Sequence, residues 1–146
     1  MKLTKKGHYA VKALVDLSLQ ANSAPSAVSQ IALRQDIPAP FLEKLLIRMR
    51  QAGLINSIRG AKGGYQLAHS PQEITLGQIL LAVGENLESI PLLQDEATGA
   101  DWVTVTLWRK INEKMQESLN HITLADLYYD ARSRQASQGQ ENNFII

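Results

Sequence analysis

The sequence predicts a mainly α-helical chain with one small β-hairpin and a long helix toward its C-terminal end. Three observations carry this fold class. Before residue 53, three short stretches place apolar residues at helical spacing. Residues 54–67 then read as strand, glycine-rich turn and strand. Between Asp101 and Leu119, a long helical stretch carries one broad apolar stripe from Leu107 to Leu119.

The first helix follows Thr4, a candidate cap, and sets Ala10, Ala13, Leu14, Leu17 and Ala21 on one face. Residues 22–25 read as a turn. Ser26 is the candidate cap of a short second helix that buries Val28, Ile31 and Ala32 and ends near Gln35. Asp36, Ile37 and Pro38 break it, and a third helix runs from Ala39 or Pro40 to Ala52, closed by Gly53. Pro40 is tolerated in the first turn because its missing N–H has no intrahelical partner there. On the third helix Leu42, Leu45, Leu46 and Met49 share a stripe, while Pro40, Glu43, Lys44, Ile47, Arg48 and Gln51 project from the other side. Two short helices joined by a tight turn, the second with a polar outer face, form a helix-turn-helix, which lays its second helix in a DNA major groove. Helix pairs of this shape also occur in proteins that never meet DNA.

The hairpin is more specific. Residues 54–58 form the outgoing strand, Gly60-Ala61-Lys62-Gly63-Gly64 the turn, and Tyr65, Gln66 and Leu67 the return. Arg59 and Lys62 carry positive charge to the tip, and the glycines ease backbone approach to another molecule. A nucleotide-binding loop is the rival reading. It lacks both the Walker and GxGxxG spacings, and strands flank it on both sides instead of a strand and a helix. Helix-turn-helix and hairpin together make a winged helix-turn-helix over residues 1–68.

Residues 69–134 read as a helical dimerisation region. After a hinge at 69–73, Thr75 and Gln78 fit a capping box for a helix burying Ile79, Leu80, Ala82 and Val83. Residues 84–100 show no periodicity and read as a long loop. Loops above ~12–15 residues in compact proteins are usually functional or disordered. From Asp101, a candidate cap, a helix of about 18 residues runs roughly 27 Å. Leu107, Trp108, Ile111, Met115 and Leu119 line its stripe, with Trp102 and Val105 outside it. A lone small domain would hardly hide all of that surface, so pairing with the same helix of a second copy is expected, with packing of part of the stripe onto the chain's own first helix as the alternative. Thr123 caps a last helix to about Arg134, and residues 135–146 read as a disordered polar tail.

The net charge of +1 conceals a strong asymmetry. Residues 1–67 carry ten basic residues against three acidic ones, a net of +7, and residues 68–146 carry five against eleven. A cationic half suits a polyanion, because each neutralised phosphate releases counterions. A solvated basic face without a partner is the alternative. There is no cysteine, which removes disulfides, thiolate-held zinc or iron–sulfur clusters and cysteine nucleophiles. No apolar run approaches the length of a membrane span and the first six residues are too polar to begin a secretory signal, so the cytoplasm is the expected compartment, with no membrane partner. No nucleophile–base pair, phosphate loop or metal motif points to an enzyme.

Several stretches resemble the family of winged-helix repressors typified by IscR, NsrR and CymR. Leu3-Thr4-Lys5-Lys6-Gly7-His8-Tyr9-Ala10 is similar to that family's opening, Phe41-Leu42-Glu43-Lys44-Leu45 to its recognition helix, and Arg59-Gly60-Ala61-Lys62-Gly63-Gly64-Tyr65 to its wing. Leu107-Trp108 and Ile122-Thr123-Leu124-Ala125-Asp126-Leu127 resemble its dimerisation helix and the helix after it, so the likeness covers residues 1 to about 130. The resemblance implies a homodimeric, sequence-specific repressor on a pseudo-palindromic duplex operator. The family's base-reading glutamate falls on Glu43 and its minor-groove arginine on Arg59. A carboxylate accepts from a cytosine amino group, and a guanidinium suits a narrow minor groove. Lys5, Lys44, Arg48 and Lys62 are expected on phosphates, with Pro40, Phe41, Gly60 and Gly63 completing the DNA-facing set.

Many members of that family hold an iron–sulfur cluster on three cysteines in the loop before the long helix. Here Trp102 stands at the last of these positions and Val105 at the family histidine. A cluster without thiolates would need His8, His69, His121 and carboxylates such as Asp95 or Asp101 to converge. The expectation is therefore no cofactor, with His8 read as a surface cation. Glu85, Glu88, Asp95, Glu96 and Asp101 are read as solvating the loop in preference to binding a cation. The competing functions are a metal or cluster sensor with non-cysteine ligands and a winged-helix module that contacts protein.

Overall fold

The computed structural model describes residues 3–87 and 99–143. Helix α1 (Lys5–Ser18) is the centre of the molecule, and α2 (Val28–Gln35), α3 (Ala39–Gln51), α4 (Leu76–Ala82) and α6 (Leu124–Asn143) all pack against it. Its periodic residues Ala10, Ala13, Leu14 and Leu17 are buried as the spacing predicts. Ile31, Leu42, Leu45, Leu46, Met49, Leu54 and Ile55 join them in one core, together with Ile74, Ile79, Val83 and Leu124 from beyond the hairpin.

Two of the predicted caps in the N-terminal half, Thr4 and Ser26, do not cap their helices. Thr4 precedes α1 but makes no cap hydrogen bond; its Oγ1 donates to Glu85 Oε1 instead. Ser26 likewise does not cap α2. Ala27 is the capping position, its N–H donating to Gln30 Oε1 at 2.8 Å. The Thr4 hydroxyl is claimed by a carboxylate 81 residues away, and the Ser26 hydroxyl by the Arg34 guanidinium of α2, while the Ser26 backbone pairs with Tyr65. The stop after α2 is local: Asp36 adopts φ 52°, a left-handed turn that aspartate tolerates better than most residues.

Strands β1 (Ile55–Ile58) and β2 (Gly64–Leu67) pair antiparallel, with Ile55 opposite Leu67 and Ser57 opposite Tyr65. The free edge of β2 is taken up by Ser26, which exchanges both backbone hydrogen bonds with Tyr65 at 2.8 and 2.9 Å. That contact docks the hairpin on the start of α2.

An ion pair between the buried Asp16 and the partly exposed Arg34 holds the same corner. Asp16, its side chain 3% exposed, accepts from Arg34 Nη2 at 2.7 Å, Arg34 Nε at 3.0 Å and Gln35 Nε2 at 2.9 Å. Arg34 Nη2 also reaches Ser26 Oγ at 2.7 Å, so the network runs from α1 through α2 to the residue that holds β2. The hydrogen bond to Asp16 holds the Arg34 guanidinium above its ordinary pKa, against an opposing effect of burial and with the carboxylate's charge assisting. A raised folded-state value gives stability that is lost only as pH climbs through it, so titration of this arginine leaves neutral-pH stability unchanged.

Past the hairpin, a 3-10 turn at Pro71–Glu73 leads into α4. Its predicted capping box is present, with Gln78 N–H donating to Thr75 Oγ1 at 3.2 Å and Thr75 N–H to Gln78 Oε1 at 2.9 Å. Backbone bonds from Leu76 to Ile122 and from Leu124 to Ile74, each 2.8 Å, tie the start of α4 to the junction of α5 and α6. Helix α5 (Ala100–His121) is 22 residues long, so it exceeds the expected 18 and begins at Ala100, with Asp101 in its first turn instead of at the cap. Helix α6 extends to Asn143, beyond the Arg134 at which the sequence reading ended it. The stretch 135–143 read as a disordered tail is therefore helical, with its Gln residues, Ala136 and Glu141 favouring helix against Ser137, Gly139, Asn142 and Asn143.

Arg34→Ala removes the ion-pair partner of a buried carboxylate and is expected to lower unfolding free energy by about 3 kcal/mol. Urea denaturation checks this, with Arg34→Lys recovering only part because one ammonium cannot reproduce the guanidinium fork.

Candidate nucleic-acid interface

The outer face of α3 is built by its inner one. Leu42, Leu45, Leu46 and Met49 are fully committed to the core, which fixes the helix about its own axis and turns Pro40, Glu43, Lys44 and Gln51 to solvent. Among the described residues, Glu43 and Lys44 make no side-chain hydrogen bond or ion pair, so both groups are free to meet a ligand. Phe41 plays a second part: its ring meets Tyr9 of α1 edge-on at 5.7 Å between centroids and steadies the first turn of α3.

At the wing tip Arg59, Gly60, Ala61 and Lys62 are exposed. Gly60 has φ 114° and open space around it, so it fits the reading of a glycine that lets the backbone approach another molecule. Gly63 and Gly64 have a different reason. A Cβ at Gly63 would fall 2.1 Å from the Ile58 carbonyl oxygen, and one at Gly64, where φ is 145°, would fall 2.3 Å from the Ser26 backbone. Those two glycines allow the hairpin to close and to dock. Gly63, expected at the DNA, is only half-exposed.

The basic charge of the N-terminal half is partly committed inside the molecule. Arg34 is neutralised by Asp16, Lys12 Nζ donates to the Gln35 carbonyl at 2.5 Å, and Lys6 Nζ to the Gly84 carbonyl at 3.3 Å. Arg48, expected on a phosphate, donates from Nη1 to the Val83 carbonyl at 3.0 Å. Lys5, Lys44, Arg50, Arg59 and Lys62 are the exposed cations of this half that make no side-chain bond among the described residues. A charge count cannot separate these groups, because only the tertiary fold decides which cation meets a carbonyl.

Glu85 also departs from its expected solvating role. It is buried and accepts from the Gly7 N–H at 3.0 Å as well as from Thr4. Glu88, Asp95 and Glu96 lie outside the described residues.

On α5 the predicted stripe divides. Leu107, Trp108 and Ile111 are exposed at 52%, 46% and 45%, and Val103, four residues before Leu107, lengthens the row. Met115 is half-buried, and Leu119 is buried in its own chain, where Gly77 brings α4 close to the Leu119 carbonyl. Leu119 stands about 120° around the helix from Leu107, so the broad stripe serves two surfaces.

The chain matches, over residues 3–130, the Rrf2 family model, described as an iron-dependent transcriptional regulator. It belongs to the Rrf2 family. A Synechocystis protein named as an HTH-type transcriptional regulator is 56% identical over the full length of both chains. The IscR regulator of Aliivibrio salmonicida is 38% identical over 96% of this chain and 84% of its own. Among solved structures, CymR, the global cysteine regulator of B. subtilis, aligns with a TM-score of 0.79 at 32% identity, over 88% of this chain and 97% of its own. T. potens IscR aligns at 0.75 and 38% identity, over 92% and 91%. The Rrf2 chain described here is accordingly a DNA-binding transcription regulator with the winged-helix fold that its sequence predicts.

An iron–sulfur cluster does not fit the residues present. The sequence has no cysteine, and Trp102 and Val105 offer no ligand atom to iron. His8 lies on α1, His69 beside Glu73, and His121 at the end of α5 with Nδ1 2.6 Å from the Glu117 carbonyl, so the three histidines are scattered over separate elements. Among the described residues no three His, Asp or Glu side chains form a metal-binding group. Among them, too, no helix is long and apolar enough to cross a membrane.

Gly64→Ala places a methyl group where the Ser26 backbone sits and is expected to detach β2 from α2 while the helical core stays folded. Hydrogen exchange at the Tyr65 amide, which donates to Ser26, should accelerate at least tenfold, with far-ultraviolet circular dichroism largely unchanged.

Proposed function

We propose that this Rrf2 regulator acts as a homodimeric repressor on a pseudo-palindromic operator, with α3 in the major groove and the wing in the adjacent minor groove. The observation that carries the reading is the unengaged Glu43–Lys44 pair on the solvent face of α3, on the same winged domain as an unengaged Arg59 and Lys62. Glu43 supplies an acceptor for a cytosine amino group and Arg59 a cation for a narrow A·T-rich minor groove. Lys5, Lys44 and Lys62 bind phosphates, which fix position and make affinity salt-dependent.

The second copy is brought in by α5. Val103, Leu107, Trp108 and Ile111 form an apolar row on a helix whose C-terminal part alone is anchored on α4. A two-fold axis across that row buries each of these residues twice and sets the two winged domains on half-sites one helical turn apart, about 34–36 Å. The dimer represses by occupying promoter DNA in competition with polymerase. It does so without an iron–sulfur cofactor and in the cytoplasm, where its DNA is.

Electrophoretic shift with a duplex selected by the protein from a random pool tests the assignment. Binding should weaken steeply between low and moderate salt, and Glu43→Ala should cost about 1–3 kcal/mol of discrimination at one base pair. Arg59→Ala should weaken binding chiefly where the wing meets A·T-rich sequence. Equal losses for Glu43→Ala on selected and random duplexes would remove base reading from α3. Leu107→Asp and Ile111→Asp should convert the protein from dimer to monomer in sedimentation equilibrium and reduce operator affinity in parallel.

A further inference from the structure

Three consecutive residues after α4 are each held by a side chain or a helix end of the DNA-binding half. Val83 offers its carbonyl to Arg48 of α3, Gly84 offers its carbonyl to Lys6 of α1, and Glu85 places its carboxylate on Thr4 and on the N–H of Gly7. The first-turn N–H groups of a helix lack intrahelical acceptors and concentrate positive potential, so a carboxylate there is favoured on both counts. Glu85 therefore does for α1 what Thr4 was expected to do, from 78 residues away in the chain.

The fit is built from both sides. A Cβ at Gly7 would sit 2.9 Å from Glu85 Oε1 and 3.0 Å from Leu80, and at Gly84, where φ is 79°, a Cβ would sit 3.1 Å from Arg48 Nη1. Both glycines are explained by this junction. On α3, Arg48 lies on the flank that faces α4, away from Glu43 on the opposite flank.

We propose that Arg48 and Glu85 are positioning residues for DNA recognition, clamping α3 and the start of α1 to the turn at residues 83–85, and that Arg48 acts through this clamp and not as a phosphate ligand. The inference rests on α3 being the recognition helix. Its consequence is that discrimination between DNA sequences depends on a turn that belongs to the C-terminal half.

The test measures affinity for the selected duplex and for a random duplex of equal length, each as a function of salt, for full-length Arg48→Met, Glu85→Ala and the double variant. Each single variant should bind the selected duplex about tenfold more weakly and the random duplex within about twofold of the parent, the size of effect that networks of this kind transmit. The salt slope should stay that of the parent, and the double variant should lose no more than the worse single one. For Glu85→Ala the sign is itself diagnostic, since removing a carboxylate by charge alone favours binding to a polyanion.

Asp126→Ala, which removes the carboxylate half of the reciprocal cap at the start of α6, serves as a variant that is destabilised without touching the clamp, and its discrimination should be unchanged. If Asp126→Ala loses discrimination as Glu85→Ala does, the effect is general destabilisation and the proposal fails. If Arg48→Met lowers the salt slope by about 0.9 and weakens both duplexes equally, Arg48 is a phosphate ligand and the proposal is overturned. Glu85→Ala binding the selected duplex like the parent also overturns it. Glu43→Ala separates the two levels. Lost discrimination there with unaffected Arg48→Met and Glu85→Ala defeats only the clamp, whereas unchanged discrimination in Glu43→Ala defeats the α3 reading on which the clamp rests.

Discussion

Everything in this molecule is arranged around one helix of 14 residues that must serve as packing surface for both halves of the chain. Ala10 and Ala13 keep α1 slim enough for close approach, and Leu14 and Leu17 fill the core between its neighbours. A carboxylate sits near each end: Glu85 on the Gly7 N–H of the first turn, Asp16 near the last turn gripping Arg34 and Gln35 of α2. Two acids, one local to the helix and one remote, thus fix where the DNA-binding elements lie relative to the rest. Because both are buried, each is tolerable only with its partners in place.

The wing illustrates how such a fixed point propagates. Asp16 orients Arg34, Arg34 reaches Ser26, and Ser26 pairs with Tyr65 of β2. The hairpin leaves the body through backbone bonds at one residue, and Gly64 is there because no side chain fits between the two backbones. A wing docked this way carries Arg59 and Lys62 at its exposed tip.

Charge is the property most altered by folding. Read along the sequence, the N-terminal half carries a large positive excess, yet Arg34, Lys12, Lys6 and Arg48 are each engaged with an internal acceptor. Among the described residues, the exposed cations of this half that make no such bond are Lys5, Lys44, Arg50, Arg59 and Lys62. The same separation occurs on α5, where Leu119 belongs to the core while Leu107, Trp108 and Ile111 stay outside. In a family described as iron-dependent, this chain has no cysteine.

Periodicity and turn chemistry made most elements legible. The three N-terminal helices, the hairpin and the capping boxes at Thr75 and Thr123 all follow from interactions within a few residues, and those are encoded next to one another. Glu43 and Arg59 were likewise visible, because an amphipathic helix and a short hairpin declare their outer positions. The partners of Thr4, Ser26, Arg48 and Glu85 were not. Each is satisfied by a group far along the chain, and a hydroxyl or guanidinium that can serve a local or a remote acceptor looks the same in sequence. Local bonding determined what the pieces are; burial of polar groups in three dimensions decided which of them are joined.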